Sequence, residues 1–467
     1  MQRLGRWRPT RQPARRLLST ETKIVVNRTT YNQPGRGWRP TVGICLDGTS
    51  VEYIVEAIRA GAMPNLQNWT SGHWEAIPSA APGCSRGLAA AVMPTFTNPN
   101  NVSIATGTTP RVHGISGNYF YDAERDEDVH MNAASYIRAP TIFSEMERRG
   151  VKVIVTTAKQ KLYDLLAANL DLSQSIVVAS ETAEDQTTTA HLARHGIEGG
   201  IRALLPSYAA TPGIYDPRIS YHSLDTALAL LQRHMEQSPM TPAMVYCSTT
   251  DFVQHQFVPG SPEANEFCAA VDERLGRFDS ECSAMIGITA DHGMNDKVKY
   301  DGTPNICYLR PVVDRVGVKC RIVLPITDAY VRHHGGLGSF AMLHFDNKRD
   351  AREAHGELCR MRGMYTIVNK AAAADEMSLP KDRLGDIVLV AKRDFVFASS
   401  PEEHDLSQLD PGVKLRSHGG FSEMTVPMYF NFKLNDAYAK RLHSGEMRNF
   451  HLFEALCNGA GQQTMHD

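Results

Sequence analysis

No apolar run in this chain approaches the roughly 20 residues needed to span a bilayer, and no C-x-x-C pair occurs among its nine cysteines. The first absence excludes an ordinary transmembrane helix, so no membrane partner is expected. The second, with an odd cysteine count, argues against a disulfide framework and fits reduced thiols inside a cell. Cys45, inside an apolar run, reads as a small buried hydrophobe. Charge of one sign is also lacking: 49 Lys and Arg face 51 Asp and Glu. Bulk electrostatics therefore gives no reason to expect nucleic acid or an acidic membrane surface as a partner. There is no internal repeat and no long low-complexity tract. What is present is an ordinary globular composition, 42% hydrophobic over 467 residues, enough for about two or three domains.

Acidic residues are missing from the N-terminus. Arg3, Arg6, Arg8, Arg11, Arg15 and Arg16 all precede Glu21, and the segment ends in Arg-Leu-Leu-Ser-Thr. Arginine-rich, hydroxylated text of this kind fits a mitochondrial presequence; it also fits a disordered basic tail or an over-extended start. On each reading residues 1–39 are expected to be disordered, and the protein to be intracellular, mitochondrial or cytoplasmic accordingly.

From Thr41 onward, apolar runs alternate with helical periodicity. Strands are predicted at Val42–Leu46, Val151–Val155, Ser175–Ala179, Met244–Ser248, Ala284–Thr289 and Val426–Phe432. A helix follows the first strand, with Tyr53, Ile54, Ala57 and Ile58 on one face, and another opens near Thr97, with Pro99 in its first turn. This alternation predicts an α/β core with a largely parallel sheet flanked by helices. Between 304 and 375 the pattern changes to a strand at Phe340–Phe345, a helix at Lys348–Met361 and a strand at Met364–Val368. That stretch reads as a small inserted α+β cap between core segments 40–303 and 376–467. Ile387–Ala391 and Phe395–Ala398 read as a hairpin returning to the core, and residues 76–92, rich in Ala, Pro and Gly, as an insertion within it.

Six candidate metal ligands stand mostly where apolar runs end: Asp47, Asp251, His255, Asp291, His292 and His418. Open α/β sheets place their active sites at the carboxyl ends of strands. Three carboxylates with three imidazoles suit two divalent cations, with zinc the natural first choice. Asp251 and His255 are four apart, which on a helix turns both toward one ion; the same pair also suits a helix cap and a surface residue. Asp291-His292-Gly293-Met294 directly follows a strand, where two polar groups need partners or a metal; an Asx turn is the simpler alternative. His418 lies in Arg416-Ser417-His418-Gly419-Gly420, a loop through which a ligand can approach the backbone. Thr97, at a helix start, is either a plain N-cap or a nucleophile beside N–H groups that favour a phosphoryl group. Lys159 and Lys161 follow a strand and can receive a carboxylate or a phosphate.

Leu46-Asp47-Gly48, Phe96 to Asn101, Gly114-Ile115-Ser116-Gly117-Asn118, Asp251-x3-His255, Asp291-His292-Gly293-Met294 and Arg416-Ser417-His418-Gly419-Gly420 occur in the order seen in the alkaline phosphatase superfamily. Within its nucleotide pyrophosphatase/phosphodiesterase-like branch the chain resembles the phosphonoacetate hydrolases, from about Pro40 to Phe432. Ser261-Pro262-Glu263-Ala264-Asn265 and Leu384-Gly385-Asp386-Ile387-Val388 extend the likeness. The resemblance implies an alkaline-phosphatase-like core and two zinc ions per chain. Asp251, His255 and His418 would hold one; Asp47, Asp291, His292 and the Thr97 oxygen would hold the other. It further implies that Asn118 meets a phosphoryl oxygen and that Lys159 and Lys161 receive a substrate carboxylate. The implied activity is zinc-dependent cleavage of the carbon–phosphorus bond of phosphonoacetate through a phosphothreonine, with a homodimer as one possible assembly. Alternatives are a nucleotide phosphodiesterase or pyrophosphatase with the same metals, or a catalytically impaired, metal-binding relative. The chain departs from the family between His73 and Val92, close before Thr97.

Overall fold

The computed structural model describes residues 23–69, 86–326, 337–404 and 414–460. A seven-stranded sheet lies at its centre, in the order Arg86–Ala90, Thr425–Phe430, Met285–Thr289, Thr41–Cys45, Ala243–Ser248, Lys152–Thr157, Ile176–Ala179. The last five run parallel; Thr425–Phe430 is antiparallel to both its neighbours.

Successive side chains of a strand face opposite sides, and here both sides are apolar. Val153 and Val155 enter one core while Ile154 enters the other, and Met244 and Tyr246 divide from Val245 and Cys247 in the same way. Helices Thr97–Thr106, Ile142–Arg148 and Leu452–Asn458 cover the first face; Val51–Arg59, Arg218–Gln237 and Pro262–Cys282 cover the second. The expected largely parallel, helix-flanked sheet is therefore the observed one. Gly43 lets the helix Leu452–Asn458 rest on the strands, since a Cβ there would stand 2.6 Å from Phe453 Cζ.

Three expectations are corrected. Residues 23–39 are not disordered: Lys23–Val26 and Thr29–Asn32 form a hairpin, with Ile24, Val26 and Tyr31 buried in the first core. Asn458 fastens it, accepting from Asn32 N at 2.7 Å and donating to Thr30 O at 2.7 Å. Three apolar side chains with alternating exposure were enough, despite the basic surroundings. Residues 1–22, with the presequence reading, lie outside the described residues. The insertion placed at 76–92 contains a core strand, because Arg86–Ala90 pairs with Thr425–Phe430; positions 76–85 lie outside the described residues. Arg-Gly-Leu-Ala-Ala has little strand propensity of its own, and the neighbouring strand supplies what it lacks. Finally, Ile387–Ala391 does not return to the core. It is the third strand of a four-stranded antiparallel sheet, Cys320–Val323, Phe340–Phe345, Ile387–Ala391, Met364–Asn369, so the small sheet runs on past 375. Val396–Ala398 pairs with Ile306–Tyr308. No described helix is long and apolar enough to cross a membrane, and the cysteines among the described residues are free.

Candidate active site

Register decides what meets at the carboxyl edge of the sheet. Cys45 is level with Thr289 on one side and Ser248 on the other, and Ser248 is level with Thr157. Two or three residues beyond this line the chain delivers Asp47, Asp291 with His292, Asp251 and Lys159 to one place. The turn after Asp47 depends on Gly48, whose φ is +68° and where a Cβ would lie 2.7 Å from Asp251 Cβ. Asp251 starts the short helix Phe252–Gln256. His255 lies one turn on, its Nε2 3.1 Å from Asp251 Oδ2, so the four-residue spacing is realised. His418 reaches the same carboxylate from a loop over 150 positions away, at 3.7 Å. Gly419 makes room for it: φ there is +118°, and a Cβ would meet the Phe96 ring at 2.6 Å.

Two ligand groups result. Asp251, His255 and His418 can hold one cation and Asp47, Asp251 and His292 another, with ligand atoms within 4.8 Å of one another in each. Asp251 therefore stands between them. Asp291 lies beside the second group, its Oδ2 3.6 Å from His292 Nε2. Its oxygens accept from Gly48 N and His292 N and from the Asn101 amide. All six predicted ligands are gathered and buried.

The imidazoles share one orientation. Nδ1 donates to Arg416 O from His255 at 2.8 Å, to Thr95 O from His418 at 2.7 Å and to Gly293 O from His292 at 3.0 Å. A carbonyl can only accept, so each Nδ1 carries the proton and each Nε2 presents a lone pair to the acidic centre, the tautomer a metal requires. Asp47 Oδ1 and His292 Nε2 are buried without a hydrogen-bond partner, 3.4 Å apart. Buried polar atoms are normally satisfied. Two such atoms facing one another, one a carboxylate oxygen and one an imidazole nitrogen, fit a shared cation.

Electrostatics favours the same conclusion. Burial, reinforced by Asp251 and Asp291, pushes the Asp47 carboxyl up to about 8. Burial likewise raises Asp291 to about 6 and lowers the imidazolium form of His292 and His418. Lys159 is the compensating cation: its Nζ donates to Asp47 Oδ2 at 2.6 Å and to Asp251 Oδ1 at 2.7 Å. Burial opposes its charge, but the two carboxylates keep it protonated. Burial also opposes ionisation of Asp251, yet Lys159 holds that carboxyl well below its ordinary value. Lys161 is buried in the adjoining turn, Gln160–Leu162.

Thr97 is the first residue of the helix Thr97–Thr106 and is 2% exposed. Asn118 faces that helix start. Its Oδ1 accepts from Asn98 N at 3.0 Å. Supporting residues escaped the sequence reading. Asn101 donates to both Thr97 O and Asp291 Oδ2 and accepts from the Tyr246 hydroxyl. Thr249 accepts from Asp47 N at 2.9 Å. Asn101 is one helical turn beyond Thr97, which is the only sequence cue it offered.

Residues 41–420 match the family model of type I phosphodiesterase / nucleotide pyrophosphatase. Among solved structures, phosphonoacetate hydrolase from Sinorhizobium meliloti 1021 in complex with phosphonoacetate is similar at a TM-score of 0.82 and 36% identity, over 95% of this chain and 100% of that one. The same enzyme in complex with phosphonoformate matches with the same figures, 0.82 and 36%. Murine ectonucleotide pyrophosphatase / phosphodiesterase 5 is similar at a TM-score of 0.58 and 13% identity, over 92% of this chain and 98% of that one, a likeness of fold alone.

Proposed function

Because the chain belongs to the type I phosphodiesterase / nucleotide pyrophosphatase family, within the alkaline phosphatase superfamily, we propose that it is a phosphonoacetate hydrolase. It would release acetate and phosphate by way of a phosphothreonine at Thr97. The observation that carries this reading is the buried gathering of Asp47, Asp251, His255, Asp291, His292 and His418 at the carboxyl edge of the sheet. Lys159 at that centre and Lys161 in the adjoining turn are the cations we assign to the second anionic end of the substrate. The 36% identity to phosphonoacetate hydrolase supports the same substrate.

Asp251, His255 and His418 would hold one divalent cation; Asp47, Asp291 and His292, with the Thr97 oxygen, would hold the second, zinc being the ion that imidazole and carboxylate together favour. When bound, such ions act as Lewis acids that favour the alkoxide form of a hydroxyl and neutralise phosphoryl charge. The chain's own residues do the rest. The first turn of the Thr97 helix orients Thr97 and presents N–H groups, while the Asn118 amide donates to a phosphoryl oxygen. Thr97 Oγ1, having lost its proton, attacks phosphorus as the phosphorus–carbon bond breaks. The bonding pair passes to the methylene carbon, delocalises into the carboxylate and takes a proton from solvent, balancing the one Thr97 released to it, which gives acetate. Lys159 and Lys161 hold that carboxylate as negative charge moves onto it. Water then cleaves the phosphothreonine to phosphate and free Thr97. Phosphate release from phosphonoacetate, compared with aminoethylphosphonate and a phosphodiester, tests the reading. Release from phosphonoacetate alone, dependent on added Zn2+, is expected; faster turnover of the diester would overturn it in favour of a phosphodiesterase.

A further inference from the structure

Lys297 and Glu423 form an ion pair with both side chains fully buried, Nζ to Oε1 at 2.9 Å. Neither stands among the ligand groups. Glu423 Oε1 also accepts from Asn295 Nδ2 at 2.6 Å and Ser422 Oγ at 2.6 Å, and Oε2 accepts from Gly420 N at 2.9 Å. Its main-chain carbonyl accepts from Gly293 N at 2.8 Å. Lys297 Nζ donates a second time, to Arg393 O at 2.6 Å, and its amide donates to Leu415 O at 2.8 Å.

These contacts join two loops that are distant in sequence. On one side is His292-Gly293, whose Gly293 carbonyl holds the His292 ring. On the other is His418-Gly419-Gly420, whose Gly420 carbonyl accepts from Thr95 Oγ1 at 2.9 Å. Between them the rings of His292 and His418 stack with centroids 3.6 Å apart and planes 9° apart. Desolvating two charges costs several kcal/mol per ion, and an apolar pair of the same volume often stabilises a fold as well or better. Stability alone therefore gives this pair no reason to be ionic. Directional hydrogen bonding to both loops does, because it fixes positions that apolar packing leaves adjustable.

We infer that Lys297 and Glu423 are a positioning pair that fixes the His292 and His418 loops relative to one another and so sets the affinity of the site for its cations. The inference rests on the reading of those histidines as metal ligands. Residues that orient ligands from behind typically cost about 10–100-fold in metal affinity when replaced. The test is the Zn2+ affinity of chelated full-length protein, by competition with a chromophoric chelator, for wild type, Glu423→Gln and the double variant Lys297→Met/Glu423→Gln. Circular dichroism and thermal melting report folding in parallel. Glu423→Gln is expected to fold and to bind Zn2+ about 10–100-fold more weakly. The double variant, freed of unpaired buried charge, should melt like the parent and still bind weakly. Parental affinity in the folded double variant overturns the inference, since the pair would then be structural only. If Glu423→Gln does not fold, the double variant decides alone. A wild-type chain that takes up no Zn2+ overturns the metal reading itself, a distinct outcome from wild-type uptake with unaltered affinity in the variants.

Discussion

Asp251 and Asp47 are both buried carboxylates on the same ammonium, yet their ionisation moves in opposite directions. Around Asp251, Lys159 outweighs the burial and holds the carboxyl well below its usual range. Around Asp47, burial is joined by two neighbouring carboxylates, and the group is pushed up to about 8. One lysine can neutralise one carboxylate. The half of the site built on Asp251 is close to balanced without added charge. The half built on Asp47, Asp291 and His292 is not, and it is also where the unpartnered oxygen and nitrogen lie. A site whose halves differ in this way should bind two cations with unequal consequences, the Asp47 half gaining most from its ion.

The largest effect expected from breaking this arrangement is at Thr97, the proposed nucleophile, whose carbonyl shares the Asn101 amide with Asp291. Thr97→Ala should lower phosphonoacetate turnover by about 10⁴–10⁶-fold, the loss typical of a deleted nucleophile, while Zn2+ content measured by atomic absorption stays at the wild-type level. Undiminished turnover would remove Thr97 from the mechanism. Next comes the shared cation. Lys159→Ala leaves the buried Asp251 carboxylate without its cation, so the chelated protein should lose about 3–5 kcal/mol of stability in urea unfolding. Phosphonoacetate turnover should fall by about 10²–10³-fold and turnover of a nitrophenyl phosphate diester much less; equal losses on both substrates would deny Lys159 a role as carboxylate receptor. Asn101→Ala removes the amide that braces Asp291 from behind. It should weaken the binding of one Zn2+ by about tenfold or more and leave the other unaltered, and calorimetric titration showing both sites weakened alike would erase the distinction between the halves.

The smallest effect is a pH dependence. Asp47 has a folded-state pKa raised from 3.8 to about 8. The protonated form is thus preferred in the folded protein, and the associated stability is present below pH 4 and lost as pH rises through about 8. The melting temperature of chelated protein should accordingly fall between pH 6.5 and pH 8, relative to a Zn2+-loaded sample whose ligands stay ionised. Parallel curves with and without Zn2+ would mean that the Asp47 half carries no excess charge.

Much of this site was legible in the sequence because its candidate ligands are unusual where they stand. Asp47, Asp251 and Asp291 follow apolar runs, and a carboxylate just beyond a buried strand calls for a partner. The residues that hold them gave no such signal. Asn101 is an asparagine among asparagines, Thr249 is one of two adjacent threonines, and Glu423 and Lys297 look like ordinary surface charges until both prove fully buried. The strand Arg86–Ala90 was unreadable for the opposite reason: its Gly and Ala carry almost no pattern. The Lys23–Asn32 hairpin was hidden by the arginine-rich text in front of it.

Which residue types gather at the carboxyl edge, and that the edge belongs to a largely parallel sheet, were determined by the sequence alone, because alternation and strand ends are local properties. Only the tertiary structure decided that Asp251 stands between both ligand groups, that Lys159 lies across Asp47 and Asp251, and that Asp291 turns toward Asn101 and the Gly48 amide. Those relations depend on the register that sets Cys45, Thr289, Ser248 and Thr157 level. Register between strands far apart in the chain is settled by hydrogen bonds and packing across the whole sheet, and no single segment carries that information.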